Sequence, residues 1–267
     1  MRLSQSSIPE RVLGISTTLL FVVIFLGQFI FALYILGLYG ISGLAGDFER
    51  WNTAAPHGYD KNDITGNIFF GMHMALAAVI TIGGPLQLIK GLRNRFRKLH
   101  RISGRIYITC AFLISLAGFY LVWVKGSVGG LVGSIFISFN GTLIFICAFY
   151  ALKKALNKQF SEHQKWAIRL FLVMSGVWFF RVFLMLWLTI FKGPVGFDPI
   201  AFQGPALVFL YMLSYLCPIL LAEYYFRTVK KSNINKVVGA VLLLIITVGV
   251  SIGSFAATMG LWLPNIK

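Results

Sequence analysis

Charge is scarce in this sequence. Asp, Glu, Lys and Arg make up 12% of its 267 residues, about half of what keeps a soluble domain dissolved. Acids are the scarcer sign, eight Asp and Glu against 24 Lys and Arg, for a formal net charge of +16. Cysteine is nearly absent. Cys110, Cys147 and Cys217 each lie within an apolar run and none is spaced as C-x-x-C, which excludes a disulfide framework and a thiolate metal site. Also missing are an H-E-x-x-H helix, a phosphate-binding glycine loop and anything resembling a Ser-His-Asp arrangement. The sequence therefore points to no enzyme class, and whether the chain is a catalyst stays open.

What the sequence has instead is apolar length. Apolar residues are 58% of the chain. They gather into runs near residues 12–40, 67–89, 103–124, 127–152, 166–191, 204–226 and 236–260. Each run has the roughly 20 residues needed to cross about 30 Å of hydrocarbon as a helix. The first is too long for the roughly 7–15-residue core of a cleavable signal and reads as a retained span. The expectation is an all-α, polytopic integral membrane bundle of about seven transmembrane helices, one domain over residues 1–267. Its partner is then the lipid bilayer. The positive charge does not argue for nucleic acid, because the basic residues alternate with the spans and form no single face.

The basic residues also set an orientation. Arg50, Lys61, Lys125, Lys192 and Lys267 fall in loops on one side, with the acids Asp47, Glu49, Asp60, Asp63 and Asp198. The other side takes Arg2, Arg11, the cluster from Lys90 to Arg105, the cluster from Lys153 to Arg169, and Arg227, Lys230, Lys231 and Lys236. By the positive-inside rule the N-terminus is cytoplasmic and the C-terminus outside. The inner clusters suit anionic lipid headgroups. A further partner, as an oligomer or a membrane redox protein, is compatible with this plan.

One basic residue, Arg181, is left inside a span, about 15 Å from the outer end of the fifth helix. A mid-helix arginine costs at least about 2.5–3.5 kcal/mol to insert, so it is expected to face the bundle interior. His73 sits in the second span, about 9 Å below the outer surface. Ala77, Gly84 and Gln87 share its helical stripe with Leu76 and Ile80, and small and polar residues mark the face that packs on other helices. His73 and Arg181 are thus a candidate substrate or proton site. Arg181 is expected to hydrogen-bond His73, Gln28, Asn140 or carbonyls freed near Pro85. Pro85 and Pro218 are expected to kink their spans.

His100 and His163 stand where the third and fifth spans leave the basic side. Gly104, Tyr107, Ala111, Ser115 and Gly118 follow on the His100 face. Arg105 follows His100 and Arg169 follows His163 at similar spacing, a hint of repeated hairpins. Two imidazoles from two helices can hold haem iron while arginines pair with the propionates. His100 and His163 are therefore the candidate metal ligands, and Arg105 and Arg169 the candidate cofactor-binding residues, for haem b. Met72 and Met74 flank His73, but successive residues point about 100° apart, too far for one copper ion to take all three. His57 falls in the outer loop, where it is solvated.

These residues carry a resemblance. "MHMALAAVITIGGPLQL", "KLHRISGRIYI" and "EHQKWAIRLF" resemble a bacterial membrane family catalogued as a domain of unknown function (DUF two thousand three hundred and six). The family pattern of a histidine in one span, H-r-w-x-G-r-x-Y opening the next and H-x-x-W-x-x-R later is met at His73, at His100 with Gly104, Arg105 and Tyr107, and at His163 with Trp166 and Arg169. Ile102 stands where the pattern has tryptophan. The resemblance covers roughly residues 65–185. It implies a multi-pass protein of the bacterial inner (plasma) membrane and no activity. Three functions follow from the residues: a haem-b redox protein in electron transfer on His100 and His163, a transporter or proton-coupled carrier built on His73 and Arg181, and a membrane assembly or scaffold protein.

Overall fold

The computed structural model describes residues 7–55 and 58–266. Arg2, His57 and Lys267, named above, lie outside the described residues. The seven apolar runs form seven helical crossings: α1 (Ile8–Ala45), α2 (Ile64–Leu88), α3 (Arg97–Lys125), α4 (Gly130–Leu156), the bent pair α5 (Phe160–Met174) and α6 (Gly176–Phe191), α7 (Pro205–Thr228) and α8 (Asn233–Ile266). Six are long and apolar enough to cross a membrane singly, and the bent pair, taken as one span, makes a seventh. No strand occurs among the described residues.

The helices close a ring. α1 packs on α8 and α2, α2 on α3, α3 on α4, and α4 on α5, while α6 returns to α8. α7 sits against α6 and α4 in its first half and against α5 and α8 in its second. In lipid, helices meet through close van der Waals fit rather than expulsion of water, so contacts fall on small residues. Ala32, Ala240 and Ala257 on α1 and α8 are wholly buried, as are Ala111 and Ala148 on α3 and α4. Gly253 lies so close to α6 that a Cβ there would come within 2.4 Å of the Val182 carbonyl oxygen. Large apolar side chains such as Ile15, Leu26, Val241, Ile245 and Phe255 are exposed instead, as a lipid-facing surface requires.

Polar contacts fix the ends of the ring. The Ser7 backbone N–H donates to Glu10 at 3.1 Å, and the Lys236 ammonium meets the other Glu10 oxygen at 2.6 Å, tying α1 to α8. Asp63 caps α2 by accepting from the Gly66 N–H at 2.8 Å and pairs with Lys125 of α3 at 3.4 Å. On the acid-bearing side a 3-10 segment (Phe48–Thr53) folds back over the bundle. Its Trp51 is buried against Phe70, and its indole N–H donates to the Tyr39 carbonyl at 3.1 Å.

Two breaks interrupt the crossings. Leu216 divides α7 just ahead of Pro218, whose ring cannot continue the preceding helical bonds. The fifth crossing bends by 53° at Ser175–Gly176, a bend absent from the sequence expectation of one straight span. A Ser-Gly pair is a recognised cause of kinks. Here the loss of regular bonding is compensated from outside the helix, as described below. Pro85 lies within α2 near its end, and that helix runs through it to Leu88. Wider π-helical turns, Leu36–Ile41, Leu121–Lys125 and Thr258–Trp262, end α1, α3 and α8 on the acid-bearing side.

Candidate ligand cavity

The bend in the fifth crossing is held by three neighbours. The Gln28 amide of α1 donates to the Ser175 hydroxyl at 2.6 Å, and that hydroxyl donates to the Phe171 carbonyl at 2.7 Å. The Asn140 amide of α4 donates to the Val173 carbonyl at 3.1 Å. Gly176 receives the Tyr215 ring of α7, which would lie 2.8 Å from any added Cβ. Gln28 and Asn140, uncharged polar residues inside their spans, therefore join helices across the break, since only side chains can satisfy backbone groups freed in the hydrocarbon region.

Beside this break is a cavity of about 180 Å³. Its wall runs from Tyr39, Ala55 and Val122 towards the acid-bearing side to Ile80, Thr81 and Tyr107 deeper in the bundle, with α1, α2, α3, α4 and the bent pair all contributing. Arg181 alone in that wall carries a fixed charge. Its guanidinium sits over the Phe31 ring, 5.3 Å from the centroid, and makes a long bond of 3.4 Å to the Val177 carbonyl of its own helix. No carboxylate lies within ion-pairing distance of it among the described residues. The expected partners for Arg181 were His73, Gln28, Asn140 or carbonyls near Pro85. The structure gives it instead an aromatic face and a carbonyl one turn back, while Gln28 and Asn140 direct their amide N–H groups to the helix break.

The cavity wall also gathers polar atoms that find no protein partner. His73 Nδ1, Tyr107 Oη, Ser115 Oγ, Asn140 Oδ1 and Trp178 Nε1 are all buried without a hydrogen bond to the protein, and all five residues line this one space. Such atoms are rare because each costs about 1–3 kcal/mol. Their residues line the cavity, but the five atoms themselves are closed off from it. The structure thus brings His73 and Arg181 together, the imidazole within electrostatic reach of the guanidinium and its ring packed near Gly118 of α3. Sequence reasoning did not single out Tyr107, Ser115 or Trp178 as polar contributors to this space. A tryptophan inside a span, where most of its kind sit at interfaces, was the available signal.

The second pair lies elsewhere. His163 Nδ1 bonds the Ala151 carbonyl of α4 at 2.9 Å, and half-buried His100 lies within electrostatic reach of His163. Neither lines the cavity. For haem b the remaining residues fit poorly. Arg169 is committed to Glu223 at 2.6 Å and clamped between the Trp166 and Phe226 rings, while Arg105 is exposed on the outer face of α3. A propionate would have to displace that ion pair. The two arginines, matched by spacing in the sequence, are not matched in their surroundings.

A family model described as "Predicted membrane protein (DUF2306)" matches residues 70–217, the stretch from α2 to the break in α7 that holds most of the cavity wall. No curated protein and no solved structure matches the chain.

Proposed function

Because the chain belongs to the family of predicted membrane proteins DUF2306 and carries a polar cavity at a broken crossing, we propose that it is a carrier, binding a small solute in that cavity and moving it across the membrane. The observation that carries this reading is a guanidinium with no carboxylate partner among the described residues, standing in the wall of a space inside the bundle. A guanidinium left without a counter-charge beside that space is costly, and a bound solute bearing acceptors would offset the cost. A helix pair broken at Ser175–Gly176 beside the site supports the reading further, since carriers recurrently place discontinuous helices at their solute sites. The asymmetry of Lys and Arg supports a cytoplasmic N-terminus, and the resemblance to a bacterial family supports the inner membrane. The basic clusters on that side are suited to anionic headgroups. Haem b and electron transfer have no comparable observation behind them and stand outside the proposal.

The test is access to the cavity from both sides. Cys110, Cys147 and Cys217 are replaced by Ser and Ser115→Cys is introduced, in a vesicle preparation of known sidedness. A small membrane-impermeant methanethiosulfonate is then applied from each face in turn. Labelling from both faces supports a carrier. Labelling from one face only leaves a binding site without passage and overturns the carrier reading. No labelling from either face means the cavity is sealed packing and overturns the site as well.

A further inference from the structure

We infer that the solute is a small carboxylic acid in its anionic form, with a single negative charge and a flat apolar body about the size of one aromatic ring. This rests on the reading of the cavity as a solute site and names the class of solute. Three observations carry it. The wall contains one cation and no acid, so a single negative charge would neutralise the site, whereas a neutral solute would leave Arg181 uncompensated in a low-dielectric space. The guanidinium lies over Phe31, 5.3 Å from the ring centroid, and a planar N–H fork of this kind can take both oxygens of a carboxylate at once.

The remaining wall is largely apolar and aromatic. Phe31, Phe119, Phe171, Ile80 and Ile114 face the same space. A cavity of about 180 Å³ compares with roughly 150 Å³ for an engineered cavity that holds one benzene. It suits a ring bearing one small group. Inorganic phosphate is excluded on the same grounds, since it is mostly a dianion and has no apolar surface to offer this wall.

The probe is radiolabelled benzoate, measured by equilibrium binding to the full chain in lipid nanodiscs. Benzamide and benzylamine serve as neutral and cationic competitors of the same shape, and palmitate as the lipid-derived carboxylate. The expected result is saturable benzoate binding, with benzamide at least tenfold weaker and benzylamine without effect. Arg181→Gln should lose about 10–100-fold in affinity, Arg181→Lys should lose less, and Ser115→Leu should abolish binding by filling the space. Equal binding of benzoate and benzamide, insensitive to Arg181→Gln yet abolished by Ser115→Leu, overturns the anion and leaves the cavity as a solute site. Stronger competition by palmitate than by benzoate overturns the small body. Binding that survives Ser115→Leu, or no binding at millimolar benzoate, overturns the inference entirely, and the cysteine labelling from both faces then decides separately whether the cavity admits any solute.

Discussion

Replacing Arg181 by leucine should make the ligand-free protein more stable, the reverse of what removal of a structural arginine does. An arginine deep in a span costs about 2.5–3.5 kcal/mol on insertion scales, and leucine there is favourable by about 0.3–0.6 kcal/mol. Against this relief stand the lost stacking on Phe31, 5.3 Å away, worth about 0.5–2 kcal/mol, and a bond of 3.4 Å to the Val177 carbonyl that is already near the limit of useful length. Bundle packing and the polar wall lower the insertion cost further, so a net gain of about 1–2 kcal/mol is expected. For a chain of this size that is a rise in Tm of roughly 2–8 °C. The assay is thermal unfolding of wild type and Arg181→Leu, both washed free of small acids. Benzoate should then reverse the order, because only the wild type binds it, and saturation at 100 times Kd adds about 2.7 kcal/mol. A variant several degrees less stable than the wild type without benzoate would refute the reasoning. It would mean that Arg181 is satisfied by the protein and holds the fold.

Three further outcomes follow from the packing. Arg169→Ala should cost about 1–3 kcal/mol, since it strands the half-buried Glu223 carboxylate now bonded at 2.6 Å. The double variant Arg169→Met/Glu223→Leu should recover most of that in a chemical or thermal denaturation series. Gly253→Ala should destabilise by about 1–3 kcal/mol or more, as its methyl would meet the rigid Val182 backbone at 2.4 Å, whereas Gly14→Ala, where nothing lies within 4 Å, should be neutral in the same assay. A reporter active only in the cytoplasm, fused after Lys267, should be silent if the basic side faces the cytoplasm. Activity there would reverse the orientation or change the number of crossings.

The number and position of the crossings were readable because they depend on composition alone: about 20 apolar residues cross a bilayer whatever they pack against. The bend at Ser175–Gly176 was not, although both residues were visible, because its stability depends on Gln28, Asn140 and Tyr215 arriving from three other helices. Helical phase and depth were enough to turn His73 and Arg181 inward. They did not show which neighbours Arg181 would meet: it takes the Phe31 face and the Val177 carbonyl, while the Gln28 and Asn140 amides donate to the helix break. The spacing of His100 with Arg105 and His163 with Arg169 suggested equivalent surroundings. Equivalence fails because Glu223, distant in sequence, reaches only Arg169.

The central claim is that this cavity is a solute site organised around Arg181. An experimental structure of the full chain with benzoate tests it most directly. The account predicts a flat ring beside Phe31 and Phe171, with both carboxylate oxygens within hydrogen-bonding distance of the Arg181 guanidinium. A cavity closed by its own side chains, or an Arg181 turned outward to the lipid while benzoate is present at saturating concentration, would contradict it.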